Sequence, residues 1–391
     1  MNEPIVRIAA RGDGVTPSGR HVAFGVPGDA LLDDGALAPG PHHQKPPCRH
    51  FPECGGCQLQ HADDEAYRGY LVSRVETALA QHGLATEIRA PHLSPPNSRR
   101  RATLRALKVS NTAAVGFNAA KSHRIVDMRE CHILRPELFA LVQPLRDLLG
   151  ELLQPRRTVD VQLTVIDGGA DVLLKGVNAD GLEAIERLTS FAMENGLARL
   201  SFDQGLGAET IYEPQPATVG LSATRLIFPI GGFLQATEDG EAALVEAVRD
   251  ATSGAARAAD LFAGLGTFAL ATGARYAAEA SRDASAALKQ AAPAMMVEHR
   301  DLYRRPLDAE ELSRFDAVIL DPPRAGAQEQ ARALAASTVS RIAYVSCNPA
   351  TFASDAKTLV DGGCSLEWIL PVGQFRWSTH VELAACFSRG D

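Results

Sequence analysis

The pattern of apolar and polar positions divides the chain into three parts. Residues 5–32 alternate short apolar runs with turns rich in Gly, Asp, Pro and Ser, as in a small antiparallel β-module. From about residue 205, short apolar runs alternate with Ala-rich helical stretches, which is typical of a doubly wound, largely parallel α/β sheet. We therefore predict a β-module over 1–40, a central α+β domain over 41–204 and an α/β domain over 205–391.

Individual elements follow from the same pattern. Apolar residues every four positions predict a helix within 61–83, and a similar pattern predicts another over 181–196. Period-two or continuous apolar runs predict the remaining core as strands. The strands expected in the central domain are 103–109, 114–117, 159–166 and 171–176, and those expected in the α/β domain are 258–262, 315–320, 341–346, 366–370 and 381–387.

Length and composition bound the class of protein. The chain has 391 residues, of which 46% are apolar and 22% charged, so it should hold at least two folded domains. We find no apolar stretch near the roughly 18 residues that span a bilayer, and Met1–Pro4 lacks the pattern of an export signal. We therefore expect a soluble, cytoplasmic protein with no membrane partner.

Charge is unevenly distributed along the chain. Lys and Arg total 39 against 47 Asp and Glu, and this net charge of −8 argues against indiscriminate binding of polyanions. The segment 97–135, however, carries nine basic residues against two acidic ones. Such a segment is able to contact phosphates locally, although a solvated surface is the alternative interpretation.

Three of the seven cysteines lie within ten residues of each other. Cys48 is followed by Cys54 and Cys57, and the two glycines between Cys54 and Cys57 let the backbone wrap tightly; Cys131 could supply a fourth ligand. Four thiolates suit either tetrahedral zinc or an iron–sulfur cluster, and three local ligands with one distant ligand favour the cluster. Free thiols and a thioredoxin-like pair at 54 and 57 are the alternatives.

A glycine turn follows the first strand of the α/β domain. Residues 258–270 read as an apolar strand, a Gly-x-Gly turn and the start of a helix, without the third glycine of the dinucleotide fingerprint. Glu279 follows one strand later, where a carboxylate could accept hydrogen bonds from ribose hydroxyls, and Asp301 could receive an adenine amino group. These pieces favour a nucleoside cofactor without a pyrophosphate, and an ordinary tight turn is the alternative.

Reactive side chains follow the later strands of the same domain. Residues 321–326 read Asp-Pro-Pro-Arg-Ala-Gly, and residues 346–351 place Cys347 in a Ser-Cys-Asn-Pro-Ala-Thr turn. Both turns should lie at the carboxyl ends of sheet strands, where ligands bind in α/β proteins. Glu382 opens the last strand and is either a base or a surface charge. A catalytic thiol at this edge is therefore predicted, with a buried core cysteine as the alternative.

Combined in this order, the motifs resemble one family over nearly the whole chain. The sequence is similar to the RNA uracil-5-methyltransferases, particularly the bacterial 23S ribosomal RNA branch called RumA or RlmD. The resemblance rests on the cysteine cluster with the following QLQH, on FLQ at 233–235, and on DLFAGLGTF, DPPRAG, SCNPAT and HVE.

This resemblance implies a fold and a set of site residues. The fold would be a class I S-adenosylmethionine-dependent methyltransferase, with a central domain carrying an iron–sulfur loop and a short N-terminal TRAM/OB-like β-module. The thiols of a [4Fe–4S] cluster would be Cys48, Cys54, Cys57 and Cys131. Cofactor contacts would be Gln235, Phe262, Thr267, Glu279, Asp301 and Asp321, with Asp283 competing with Glu279 for the ribose. The nucleophile would be Cys347 and the general base Glu382.

The chemistry explains why these residue types are needed. A thiolate that adds to C6 of uracil makes C5 nucleophilic enough to accept a methyl group, and a carboxylate must then remove the C5 proton. We expect dipoles or a cation to lower the pKa of Cys347.

The expected partner is RNA, in the first place 23S rRNA, and no protein partner is inferred. Methylation of tRNA, an amino-group methyltransferase and a non-catalytic RNA-binding or assembly factor are the alternatives.

Overall fold

The computed structural model describes residues 2–390. The N-terminal segment forms two three-stranded antiparallel sheets, with orders β1-β5-β6 and β2-β3-β4. Every strand is two residues long, because glycines, prolines and aspartates interrupt each apolar run. The strands are β1 (Glu3–Pro4), β2 (Arg7–Ile8), β3 (Gly14–Val15), β4 (His21–Val22), β5 (Ala30–Leu31) and β6 (Leu37–Ala38).

The central part combines a helix-covered sheet with a helix that precedes it. Its elements are α1 (Asp64–Ala80), β7 (Glu87–Ile88), β8 (His92–Leu93), β9 (Arg101–Val109), β10 (Thr112–Gly116), α2 (Pro136–Ala140), α3 (Val142–Leu152), β11 (Thr158–Ile166), β12 (Gly169–Lys175), α4 (Leu182–Glu194), β13 (Arg199–Asp203) and β14 (Ala208–Tyr212). Six of the strands form a mixed sheet in the order β10-β9-β11-β12-β13-β14. Since β14 pairs with β13, this sheet extends past residue 204, where the sequence had placed the boundary.

The C-terminal part alternates strands and helices, as the sequence predicts. Its elements are β15 (Thr218–Leu221), β16 (Thr224–Ile227), α5 (Glu238–Ala251), β17 (Ala258–Leu261), α6 (Thr267–Thr272), β18 (Tyr276–Glu279), α7 (Arg282–Ala291), β19 (Met296–His299), α8 (Ala309–Leu312), β20 (Ala317–Leu320), α9 (Gln328–Ala335), β21 (Arg341–Ser346), α10 (Pro349–Asp361), β22 (Ser365–Gly373) and β23 (Glu382–Ser388). Within residues 2–390, no helix is long and apolar enough to cross a bilayer.

One large sheet organises the C-terminal part. Its order is β19-β18-β17-β20-β21-β23-β22-β7, with β8 also paired to β22. The first five strands are parallel, and β23 runs antiparallel to both of its neighbours. From β17, the chain first adds β18 and β19 on one side and then β20 and β21 on the other. The carboxyl ends of β17, β18, β20 and β21 therefore meet at a topological switch point, where α/β proteins bind ligands.

Helix α1 packs against the C-terminal sheet, although its sequence position lies in the predicted central domain. Its buried residues Tyr67, Leu71 and Val75 join the core of β17, β20 and β21, and the helix contacts α10 and β22. The short strands β7 and β8 extend the same sheet. The segment 64–93 is therefore structurally part of the C-terminal domain and holds the preceding cysteine loop beside it.

Candidate active site and thiol pocket

Cys347 lies in the turn between β21 and α10. The side chain of Asn348 caps α10 by accepting a hydrogen bond from the backbone N–H of Ala350 at 3.2 Å, and Pro349 occupies the first helical turn. The proline ring suits a helix start because the missing N–H would have no partner there. This local chemistry fixes the thiol at the carboxyl edge of the sheet, partly exposed, at the positive end of a helix dipole.

The loop after β20 is fastened to this turn. The carbonyl of Arg324 accepts hydrogen bonds from Asn348 Nδ2 at 3.1 Å and from Thr351 Oγ1 at 3.2 Å. The backbone N–H of Ala327 donates to Asp355 on α10 at 2.7 Å, and the same carboxylate accepts from Tyr344 Oη at 2.6 Å. The two predicted motifs are thus one rigid unit, and Asp355 is a supporting residue that the sequence did not reveal.

Two carboxylates lie close to the thiol. Glu382 begins β23 and is buried, and burial raises its pKa to about 7 while a hydrogen bond from Gln374 acts to lower it. Burial raises the pKa of Asp321 well above its usual range, and the carboxylates of Glu382, Asp260 and Glu279 add to that rise. Glu382 is therefore half-ionised near neutral pH, which suits a general base.

The pKa of Cys347 is raised, contrary to our expectation from the sequence. Burial and the carboxylates of Glu382 and Asp321 raise it to about 11, whereas Arg324 acts to lower it. Arg324 is therefore the cation that the sequence could not identify, but its effect is smaller than that of burial and the two carboxylates. A positively charged ligand beside the carboxylates would shift this balance toward the thiolate.

The glycine turn after β17 adopts the conformation that its sequence predicts. Phe262 has φ +64° and Gly266 has φ +85°, so the backbone is left-handed on both sides of the turn. The buried side chain of Asp260 accepts a hydrogen bond from the backbone N–H of Ala269 at 2.8 Å, and burial raises its pKa to about 8. The turn therefore presents backbone rather than side chains to the switch point.

Glu279 and Asp283 differ in their surroundings. Glu279 ends β18 and accepts hydrogen bonds from the backbone N–H groups of Gly264, at 2.8 Å, and Ser281, at 2.6 Å. Asp283 lies on the exposed face of α7. Only the first of these carboxylates is in contact with the glycine turn, and Thr267, the first residue of α6, lies on the other side of that turn.

Asp301 and the aromatic residues near it border the same edge. One Asp301 oxygen accepts from the backbone N–H of Tyr303 at 3.0 Å, and the side chain is 3.4 Å from Arg304. The rings of Phe262 and Tyr303 lie 5.5 Å apart, and Tyr303 Oη donates to the carbonyl of Gly326 at 3.0 Å. Tyr303 thus links the predicted adenine-side residues to the catalytic loop, a role that its sequence context did not indicate.

Gln235 contacts Asp321 and also a second glutamine, Gln374, which the sequence did not single out as a site residue. Its Nε2 lies 3.5 Å from Asp321 Oδ2, and its Oε1 accepts from Gln374 Nε2 at 2.8 Å. Its backbone carbonyl accepts from Arg100 Nε at 3.2 Å. All of the predicted cofactor residues therefore lie along the sheet edge that also carries Cys347 and Glu382.

The four predicted cluster cysteines line one cavity. Cys48, Cys54, Cys57 and Cys131 all line it, together with apolar side chains such as Phe117 and Met128 and with the polar side chains of His50, Gln60, Glu130 and His132. Burial raises the pKa of every one of these thiols, that of Cys57 to about 12, and each of the four lies within electrostatic range of at least one other. The loop is held in place by backbone pairing of Cys54 with Ala119 and of Gly55 with Asn118.

Trp377 joins this cavity to the catalytic strand. Its side chain packs with Cys57, Ile133 and Cys131, and its indole Nε1 is buried without a hydrogen-bond partner in the described part of the chain. Its carbonyl accepts from the backbone N–H groups of Gln58 and Leu59, at 2.8 and 2.9 Å. The segment between β22 and β23 therefore packs against the cysteine loop and leads directly into Glu382, the first residue of β23.

The structure does not establish a metal at the cysteines. Among residues 2–390, no group of three or more His, Cys, Asp or Glu side chains is arranged to hold a metal ion. The four cysteines are free thiols, and the predicted cluster stays a proposal.

The basic segment is less available to phosphates than its sequence suggests. Five of its nine cations form ion pairs with carboxylates, most of them distant in sequence, as in Arg124 with Glu53 and Arg135 with Glu238. The five are Arg100, Arg105, Arg124, Arg129 and Arg135. The charges of these five residues are therefore partly offset by carboxylates, and contact of the segment with RNA stays a prediction.

A basic groove runs across all three parts of the molecule. It has a volume of about 720 Å³ and is lined by Arg11 from the N-terminal module, Arg74 from α1, Arg105 and Lys121 from the central part, and Arg324 from the catalytic loop. His380, two residues before Glu382, also lines it. Among the described residues that line this groove there is no Asp or Glu, so its potential is positive up to the catalytic edge.

Comparisons with known proteins give a consistent answer. The family described as tRNA (Uracil-5-)-methyltransferase matches residues 290–389. An uncharacterized RNA methyltransferase of Zymomonas mobilis is 50% identical over 98% of this chain and 99% of its own length. The 23S rRNA (uracil(1939)-C(5))-methyltransferase RlmD of Chromohalobacter salexigens is 33% identical over 90% of this chain and 78% of its own.

A solved structure has the same fold over its full length. The Pyrococcus abyssi tRNA (uracil-54, C5)-methyltransferase, determined with S-adenosyl-L-homocysteine, superposes with a TM-score of 0.77 at 21% identity and covers 99% of both chains. This likeness confirms the α/β methyltransferase fold, and the sequence relatives confirm the resemblance drawn from the motifs. The chain belongs to the RNA uracil-5-methyltransferase family, whose members are S-adenosylmethionine-dependent enzymes.

Proposed function

We propose that this enzyme transfers a methyl group to C5 of a uridine in 23S rRNA through a covalent bond between Cys347 and C6 of the base. The observation that carries the proposal is the placement of a thiol and a carboxylate of raised pKa at one sheet edge, at the end of the basic groove. A nucleophile and a base within electrostatic range of each other are what addition and elimination at one pyrimidine ring require.

Each side chain has one task in this scheme. The sulfur of Cys347 bonds to C6, and the electron pair of the C5–C6 double bond moves to make C5 nucleophilic. After C5 has gained the methyl group, Glu382 takes the proton that C5 still carries. The electron pair of that C–H bond restores the double bond and expels the thiolate. Arg324 favours the thiolate form at both ends of the cycle.

The residues at the switch point fit S-adenosylmethionine, which supplies an electrophilic methyl group when bound. After burial, the carboxylates of Glu382, Asp260 and Glu279 raise the pKa of Asp321, and Glu279 adds to the burial that raises the pKa of Asp260. Such an accumulation of carboxylates suits a ligand that carries positive charge. We assign the ribose to Glu279 rather than Asp283, because Glu279 contacts the glycine turn. Gln235, Phe262, Thr267, Asp301 and Asp321 would supply the other contacts.

The groove supports RNA as the substrate. Arg11, Arg74 and Lys121 have no carboxylate within ion-pair distance in the described chain, so their charges are free for phosphates. A uridine in a stacked helix cannot bring C6 to a side chain, so the target base must leave the stack. The N-terminal module contributes Arg11 to the groove, which supports the proposal that it acts as a TRAM-like RNA-binding element.

The cavity chemistry fits a [4Fe–4S] cluster held by Cys48, Cys54, Cys57 and Cys131. The unpaired indole N–H of Trp377 is a donor with no acceptor, and the anionic sulfurs of a cluster would accept it. Arg99 has no carboxylate within ion-pair distance in the described chain; burial lowers its pKa, and the charges of Cys57 and Cys131 act against that shift. The cluster would join residues 48–57 to 131 and take no part in methyl transfer.

Mapping of 5-methyluridine in ribosomal and transfer RNA tests the proposal. Cells that lack this protein should lose the modification at one position of 23S rRNA, and purified protein should restore it on that RNA. Loss in tRNA alone would transfer the assignment to tRNA. An unchanged map, with no methyl transfer in vitro, would favour a non-catalytic RNA-binding role.

A further inference from the structure

Gln374 lies between the general base and the cofactor-side glutamine. The residue is 2% exposed, and its side chain makes two hydrogen bonds. Its Oε1 accepts from the backbone N–H of Ala236 at 2.9 Å, and its Nε2 donates to Gln235 Oε1 at 2.8 Å. The amide also lies close enough to Glu382 to act as a donor that lowers the pKa of that carboxyl. Because a backbone N–H can only donate, the amide oxygen must face Ala236, and the two N–H groups face Gln235 and Glu382.

We propose that Gln374 is a positioning residue for the reaction, which orients the carboxylate of Glu382 toward the substrate and couples it to Gln235. This inference rests on the proposed function, since it assumes that Glu382 is the base. The resulting chain of contacts runs from Glu382 through Gln374 and Gln235 to Asp321, so two buried carboxylates are joined by two amides.

The backbone around Gln374 leaves room for this one arrangement. Gln374 follows β22 directly, and Val372 of that strand pairs with Glu382 of β23, so the two side chains emerge at the same sheet edge. On the opposite side is Gly240 of α5, where a Cβ atom would lie 2.7 Å from the Cβ of Gln374. A side chain at position 240 would overlap Gln374, so a glycine is needed there. The close approach of α5 keeps the Gln374 amide next to Ala236.

The electrostatics explain what the contact does. The ionisable groups that face Glu382 are Asp321 and Cys347, and both become harder to ionise when Glu382 carries charge. Gln374 offers the carboxylate a hydrogen-bond donor in this otherwise anionic surrounding. Without that donor, fewer Glu382 side chains would be ionised at neutral pH, and proton removal from C5 would slow there but recover at higher pH.

The test is the pH dependence of the release of methylated RNA from the covalent adduct, in a single turnover of Gln374→Met, which keeps the length of the side chain but not its donors. The acidic limb should move up by about one pH unit, because a hydrogen bond to a charged group is worth about that much. At pH 7 the protein–RNA adduct should accumulate several-fold above wild type, and at high pH the rate should approach that of wild type.

Gln330→Met is the matched control. Gln330 is equally buried and makes two hydrogen bonds to the backbone of Leu307, away from the site, so its loss carries a similar folding cost without moving the pH profile. Should Gln374→Met fail to fold, Gln374→Glu keeps the shape of the side chain and is expected to move the limb in the same direction.

An unmoved limb, or a loss equal at every pH, would overturn the positioning role. Failure of the proposed function itself looks different, because the Glu382→Gln enzyme would then eliminate normally.

Discussion

Cys347 and the four cysteines of the thiol pocket contain the same functional group in opposite surroundings. The pocket thiols share one cavity with apolar side chains and with His50, Glu130 and His132, and backbone pairing closes the loop around them. Cys347 stands partly exposed at a helix N-terminus, beside two carboxylates and one arginine, at the end of a basic groove. Burial raises the thiol pKa in both places.

The difference shows that the groups around a thiol, rather than its pKa alone, determine its role. In the pocket four thiols share one cavity, so they suit a permanent ligand. At the catalytic edge a base and an open approach accompany the sulfur, so its bond can form and break. Each prediction below alters one side of this comparison.

The largest effect is expected at the catalytic thiol. Cys347→Ala removes the atom that bonds to C6, so methyl transfer should fall by roughly 10⁴-fold or more while RNA affinity is kept. A radiolabelled methyl-transfer assay with parallel filter binding measures both. Cys386→Ala, which removes a buried thiol from β23, serves as the control and should retain activity. Full activity of Cys347→Ala would contradict the covalent route.

The next effect is expected at the base. Glu382→Gln can still form the sulfur–carbon bond but cannot take the C5 proton, so turnover should fall by about 10²- to 10⁴-fold. Methylated RNA should then stay bound to protein through denaturing electrophoresis. Rapid loss of activity without any such complex would mean that Glu382 acts before the methyl transfer and not after it.

The pH profile provides a graded version of the same test. Burial raises the pKa of Glu382 from 4.5 to about 7, so the base is protonated below that pH. The release of methylated RNA, which needs the base, should therefore become faster as pH increases through about 7. Stability has the opposite sign, since the neutral form is favoured by folding and its contribution is lost between about 4.5 and 7. A rate that falls with pH over this range would contradict the assignment.

Changing the pocket should affect folding more than chemistry. Cys131→Ala should lose bound iron and its visible absorbance and lower the melting temperature by several degrees, because the ligand from residue 131 joins two distant segments. Methyl transfer per folded molecule should fall less than tenfold. Purified wild-type protein without iron, after anaerobic reconstitution, would rule out the cluster.

The smallest effect is expected in the groove. Lys121→Ala removes one unpaired cation, so RNA affinity should fall a few-fold and the slope of log affinity against log salt should decrease by about 0.7 to 0.9. Lys289→Ala, on α7 outside the groove, is the matched control. Equal slopes for the two variants would show that RNA does not follow this groove.

Local patterns predicted most of the strands and helices, because apolar residues repeat every two residues in a strand and about every four in a helix. The strands β9 to β12 and all the large-sheet strands with a predicted run were found at the expected places. Contacts between distant segments were not readable: the placement of α1 on the C-terminal sheet depends on packing, and the neutralisation of Arg135 depends on Glu238, about a hundred residues away.

The candidate site shows the same limit. Motifs named the reacting groups, whereas the residues that orient them have no local signature. Gln374 and Trp377 lie in a segment where no spacing or composition distinguishes a glutamine that holds a base from any other. The direction of the Cys347 pKa shift also depends on Asp321 and Glu382, which the chain brings together only on folding.

The most direct test of the central claim is mass spectrometry of the protein after reaction with RNA that contains 5-fluorouridine. Fluorine at C5 cannot leave as a proton does, so the bond to C6 should persist, and the adduct should map to the peptide that carries Cys347. Methylation of ordinary RNA by the same preparation, with no adduct on the fluorinated RNA or with the adduct on another residue, would contradict the account.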